Sequence, residues 1–113
     1  MTIDLFAGIR VRDYATARTW YARVLGADPD FCPNDTEAVW KLDDHRFLYI
    51  QEDVDRPGHA LHTILVDDLD ARVASIAAQG PTPVLREEYP NGARKVVYRD
   101  ADGNEVAFGE VPA

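Results

Sequence analysis

Apolar and polar residues alternate from Ile3 to Val11, with Ile9 and Val11 on one side and Gly8 and Arg10 on the other, a period of two that predicts a β-strand. The period then lengthens. Ala17, Trp20, Tyr21, Val24 and Leu25 recur at helical spacing over Tyr14 to Leu25. Asp13 precedes them as a side-chain acceptor for the first free N–H groups, and Gly26 follows as a left-handed cap. Asp28-Pro29 and Cys32-Pro33-Asn34-Asp35 then break the pattern around a short strand, and proline, lacking an N–H, confines that strand to an edge. Thr36 to Leu42 and Arg46 to Glu52 read as strands joined by the polar turn Asp43-Asp44-His45, and Asp53 to Gly58 reads as a linker.

The order then repeats. Ala60 to Val66 predicts a strand, and Asp68 or Asp70 caps a helix that packs through Leu69, Val73, Ile76 and Ala77 until Gly80-Pro81 stops it. Thr82 to Glu87, with Pro83 inside it, predicts a second edge strand; Ala93 to Arg99 and Glu105 to Gly109 predict two more across the turn Asp102-Gly103-Asn104. The expected fold class is therefore α+β: two tandem βαβββ modules, residues 1–55 and 59–113, in a single domain, with a shared cleft between them.

Composition narrows the function classes. A chain of 113 residues with 46% hydrophobic content fills one compact domain, and it contains no apolar run long enough for a transmembrane helix. Met1-Thr2-Ile3-Asp4-Leu5 shows no basic segment leading into an apolar one, and Cys32 is a lone cysteine without an internal disulfide partner, so a cytoplasmic location is expected. The net charge of −8 repels nucleic acid and anionic membranes and would attract a cationic ligand.

Gly8-Ile9-Arg10-Val11-Arg12-Asp13 leading to Trp20-Tyr21-Ala22-Arg23-Val24-Leu25-Gly26, together with Val66-Asp67-Asp68-Leu69-Asp70 and Arg99-Asp100-Ala101-Asp102-Gly103-Asn104-Glu105-Val106, resembles the vicinal oxygen chelate superfamily. That superfamily includes glyoxalase I, extradiol dioxygenases and bleomycin-resistance proteins. The resemblance covers almost the whole chain and rests on caps, turns and core positions, which carry fold rather than activity. It implies modules curled into a half-open barrel, a homodimer, and, in the enzymes, a divalent metal held by His or Glu from the first and last strands of each module.

The positions matching those ligands are Phe6, Tyr49, Leu61 and Ala107, a set unable to assemble an ordinary divalent site. No metal or other cofactor is expected on this reading. A one-residue slip of strand register would bring His62 into the cleft and reopen the metal reading. His59 and His62 face opposite sides of a strand and do not chelate together, and His45 sits in an acidic turn. Cys32 has no basic neighbour in sequence to activate its thiol, and neither a nucleophile elbow nor a phosphate-binding glycine loop is present.

A cleft without metal would be lined by Phe6, Gly8, Arg10, Tyr49 and Gln51 from the first module and by Leu61, Thr63, Leu65, Ala107 and Gly109 from the second. Trp40 joins them if its strand presents that face. Phe6 and Tyr49 offer flat surfaces for a planar or cationic small molecule. The resemblance then points to metal-independent sequestration of the bleomycin-resistance type. The alternative is a lyase, isomerase or dioxygenase acting on a small oxygenated substrate, either through His62 and a metal or through acid–base groups such as Arg10, Tyr49 and Glu105.

Overall fold

Residues 2–112 are described by a computed structural model. Their order is β1 (Leu5–Val11), α1 (Tyr14–Leu25), β2 (Phe31–Asn34), β3 (Glu37–Asp43), β4 (Arg46–Glu52), β5 (Leu61–Leu65), α2 (Leu69–Gln79), β6 (Leu85–Glu88), β7 (Arg94–Arg99) and β8 (Glu105–Glu110). The first four strands form a sheet ordered β1-β4-β3-β2, and the second four repeat the arrangement as β5-β8-β7-β6. In each sheet the first strand runs parallel to the last and forms one edge. The fold is thus the two-module α+β arrangement, with two open sheets rather than closed barrels.

Period-two alternation decides which face each sheet buries. Ile9 and Val11 of β1, Leu48 and Ile50 of β4, and Ala38 and Trp40 of β3 turn toward the helices, as do Val106 and Phe108 of β8. They join Tyr21 and Val24 of α1 and Leu69 and Ile76 of α2 in one continuous core. Burying side chains of this size contributes roughly 1.5–3 kcal/mol each. On the opposite faces Val39, Val97 and Ala107 are buried as well, while Phe6, Leu61 and Leu65 stay exposed.

Local sequence fixes the helix ends. The Asp13 and Asp68 carboxylates accept from the N–H groups of Thr16 and Ala71, while Gly26 closes α1 at a φ of 83°, with its N–H on the Ala22 carbonyl. Between the two expected caps of α2, Asp68 takes the role, and Asp70 instead receives Arg94 Nη1 at 2.9 Å. Two strand ends differ from expectation. β1 starts at Leu5 rather than Ile3, and β6 starts at Leu85 rather than Thr82, because Pro81 and Pro83 hold the preceding segment out of the ladder. Only Val84, donating its N–H to the Val97 carbonyl, extends the pairing there.

The two modules are tied by the β7–β8 turn. Asp100, buried, accepts from the Tyr21 hydroxyl at 2.8 Å and from the N–H groups of Asp102 and Asn104 at 2.9 Å each. Asn104, fully buried, donates to the Arg10 carbonyl at 2.9 Å and accepts from the Ala60 N–H at 2.8 Å, stitching the end of β1 to the start of β5. Among the described residues no helix is long and apolar enough to cross a membrane.

Candidate functional site

The open face of the first sheet is built by strand register. Phe6 pairs with Phe47, Gly8 with Tyr49 and Arg10 with Gln51, so these six residues share one face across β1 and β4. The Phe6 and Phe47 rings stack nearly parallel, with centroids 4.3 Å apart and planes 6° from coplanar. Phe6 is 47% exposed, which leaves an aromatic surface facing outward. Phe47 is a member that sequence reasoning passed over, although it stands two residues from Tyr49 on the same strand and therefore on the same face.

Tyr49 owes its pose to the residue beside it. Its ring lies across Gly8 so closely that a Cβ at that position would sit 2.6 Å from Cζ and 2.7 Å from the hydroxyl oxygen. A groove of about 440 Å³ runs over this spot, lined by Gly8, Ile9, Arg10, Glu37, Tyr49 and Gln51, all from β1, β3 and β4. Gln51 spends its amide nitrogen on Thr36, 3.1 Å from its hydroxyl oxygen, and Glu37 accepts from Asn34 Nδ2 at 3.1 Å. Arg10 meets Asp53 through Nε at 3.3 Å.

On the second sheet the β5–β8 register puts Leu61 opposite Glu105, Thr63 opposite Ala107 and Leu65 opposite Gly109. Leu61 and Leu65 are 75% and 64% exposed, whereas Ala107 is covered by its neighbours. A larger groove of about 810 Å³ separates the two modules, with Leu5 and Phe47 on one wall and His62, Thr63, Leu65 and Arg72 on the other.

His62 does not join the open face of the second sheet. It pairs with Val106 and lies on the helix side of β5, and its ring crosses to β1, where Nε2 is 3.3 Å from the Gly8 carbonyl oxygen and donates to it in the Nε2–H tautomer. Trp40 is a correction. Its register partner is Leu48, its indole is 2% exposed and packs near Tyr21, and its Nε1–H donates to the Ala27 carbonyl at 2.8 Å, so it belongs to the core and not to the open face. Of the acid–base groups, Arg10 and Tyr49 share the open face of the first sheet, while Glu105 begins β8 of the second, with its carboxylate accepting from Arg99 Nη2 at 2.7 Å.

Of the four side chains at the metal-matching positions, Phe6, Tyr49, Leu61 and Ala107, only the Tyr49 phenol carries a donor atom, so these residues do not fit a divalent cation. Among the described residues no cluster of three or more His, Cys, Asp or Glu is placed to hold a metal. Cys32 is exposed, with its sulfur 3.7 Å from the Tyr14 hydroxyl, which also accepts from Arg18 Nη1 at 3.2 Å. Burial and the Asp100 carboxylate push the Tyr21 phenol far above its ordinary range, so it remains a proton donor in that contact.

Residues 4–108 match the model of the glyoxalase-like domain. The chain belongs to the glyoxalase-like domain family. This places it in the vicinal oxygen chelate superfamily, as the sequence resemblance implied. The glyoxalase-like chain is 49% identical to a glyoxalase/bleomycin resistance protein from Catenulispora acidiphila, covering 98% of this chain and 100% of that one, with a TM-score of 0.95. A bleomycin-binding protein complexed with bleomycin shares the fold at 16% identity, 98% and 100% coverage and a TM-score of 0.78. A lactoylglutathione lyase from Agrobacterium tumefaciens does so at 20% identity, 97% and 94% coverage and a TM-score of 0.77. No curated protein sequence matches the chain.

Proposed function

We propose that this glyoxalase-like protein is a metal-independent small-molecule-binding protein of the bleomycin-resistance type, a cytoplasmic homodimer that holds a planar ligand against the open faces of its sheets. The observation that carries the reading is the chemistry of those faces. Where a chelating enzyme needs oxygen and nitrogen donors converging on one point, this chain presents the Phe6–Phe47 stack, the Tyr49 ring and Leu61, which suit stacking and apolar contact, with Ala107 buried behind them and without a donor. The 49% identical glyoxalase/bleomycin resistance protein supports the family side of this reading, and a bleomycin-binding protein complexed with bleomycin has the same fold.

The homodimer follows from the same surfaces. β1 and β5 are the outer strands of their sheets, bridged to each other by Asn104 and by His62 on the Gly8 carbonyl, and β5 exposes Leu61 and Leu65, an apolar strip that a partner copy would cover. A partner copy laid over this strip would set the open face of one chain's first sheet beside that of the other chain's second.

Metal analysis by mass spectrometry of acid-digested protein, purified without a nickel column, tests the metal side. The expected content is under about a tenth of an equivalent, with no uptake of added zinc, nickel, iron or manganese, and thermal-shift screening with bleomycin and planar aromatics then gives melting increases that grow with ligand concentration. About one metal per chain, with an activity lost in His62→Ala, overturns the reading in favour of a metal-dependent lyase, isomerase or dioxygenase.

A further inference from the structure

We propose that the groove over Gly8 takes a planar aromatic cation whose charged end carries N–H donors, an arylamidinium or arylguanidinium, with the Tyr49 ring as the stacking surface and Glu37 as the counter-charge. This rests on the binding-protein reading and adds to it the sign of the ligand's charge and the residues that select it. The net charge of −8 draws cations to the protein as a whole but does not say where they stop. Strand register does. Arg10, Gln51 and Glu37 stand in one row across β1, β4 and β3, and Gly8, Tyr49 and Val39 stand in the next.

The polar row holds one charge of each sign, and only one of them is answered. Arg10 is paired with Asp53, 3.3 Å from its Nε. Glu37 is half-buried and has no ion-pair partner among the described residues; its Oε1 accepts from Asn34 Nδ2, a neutral donor, and its Oε2 from none. A carboxylate taken partly out of water is ordinarily paired, so this one is a charge without its complement. Beside it, the Gln51 amide nitrogen lies 3.1 Å from the Thr36 hydroxyl, 3.2 Å from the Glu52 carbonyl and 3.4 Å from the Thr36 carbonyl. These three oxygens fix the amide's orientation and leave Gln51 Oε1 as an acceptor with no donor among the described residues. The Tyr49 row is about 7 Å along the strand, a distance that a ring laid on Tyr49 spans with an amidinium or guanidinium substituent. Such a delocalised cation is also attracted to the face of the Tyr49 ring.

Gly8 sets the height of the stacking surface. A Cβ at this position would sit 2.6 Å from Tyr49 Cζ, so any larger residue lifts the ring off β1 and into the groove that the ligand would occupy.

Calorimetric titration of the full chain with three probes that share one ring system, cationic naphthamidine, neutral naphthamide and anionic naphthoate, tests this. Wild type is expected to bind the amidine about tenfold more tightly than the amide, and the naphthoate most weakly. Glu37→Gln, which can still accept from Asn34, brings the amidine down to the level of the amide and leaves amide binding unchanged, which also shows that the variant is folded. Asp67→Asn removes the same unit of charge from an exposed position on the other module and leaves the preference intact. Tyr49→Leu weakens amidine and amide together by about tenfold. An amidine bound no more tightly than the amide, a preference that survives Glu37→Gln, or one lost equally in Asp67→Asn overturns this inference and leaves the binding-protein reading standing. Failure of all three probes to bind wild type at about 1 mM overturns both.

Discussion

Tyr21 and Tyr98 are both buried phenols, yet their hydroxyls are in opposite situations. The Tyr21 hydroxyl donates to the Asp100 carboxylate at 2.8 Å, whereas the Tyr98 hydroxyl has no partner among the described residues. Removing a hydrogen bond to a charged group costs about 1.5–3 kcal/mol, while removing an unsatisfied buried hydroxyl relieves a desolvation penalty. Tyr21→Phe is therefore expected to lower the melting temperature by several degrees and Tyr98→Phe to hold or raise it. Calorimetry of the two variants side by side checks the contrast, and equal losses would show that the Tyr98 hydroxyl contributes as much as the one bonded to Asp100. Tyr21 was legible as an apolar position of its helix, but its hydroxyl partner comes from 79 residues away, and the Tyr98 hydroxyl has none among the described residues, a distinction the linear order does not carry.

At the scale of elements, α2 is held to its sheet by charge as well as by Leu69 and Ile76. Glu110 of β8 accepts from the Leu69 N–H at 3.0 Å and from Arg94 Nη2 at 2.8 Å, and Arg94 also reaches Asp70. Arg94 and the Leu69 N–H hold the Glu110 carboxyl below its ordinary value. A carboxylate with a depressed folded-state pKa stabilises the native state fully above its unfolded-state value, and that contribution is lost as pH falls through the folded value. Thermal melts from about pH 7 to about pH 3 should show wild type losing its advantage over Glu110→Gln at the acid end. An unchanged gap across that range would place the contribution in packing. The helices themselves, with Asp13, Gly26, Asp68 and Gly80 at their ends, were readable because caps are local; the Asp70 contact with β7 was not.

For the whole molecule the consequential feature is the pair of exposed leucines on β5, Leu61 and Leu65. If the proposed homodimer uses them, sedimentation velocity at about 10 μM should give a dimer, and Leu61→Lys with Leu65→Lys should shift it to monomer, because two ammonium groups on an apolar edge block pairing. A wild-type monomer at that concentration, or a double variant that remains dimeric, would move the interface elsewhere. The sheet order makes β1 and β5 edges, and sheet order is a tertiary property; exposed leucines in a strand read only as alternation.

The amino-acid sequence determined the repeat, the α+β class, the helix caps and the faces of β1, β4 and β5, because these depend on neighbours within a few residues and on a period that two strands or one helix turn express directly. It also determined that Phe6, Tyr49, Leu61 and Ala107 stand where the superfamily's enzymes carry donors. Only the tertiary structure decided that Trp40 is core, that Phe47 completes the aromatic surface, that Tyr49 lies on Gly8, and that Asn104 joins β1 to β5. Each of these depends on which strand lies beside which and how closely two backbones approach, distances that arise only when segments far apart in the chain are packed together.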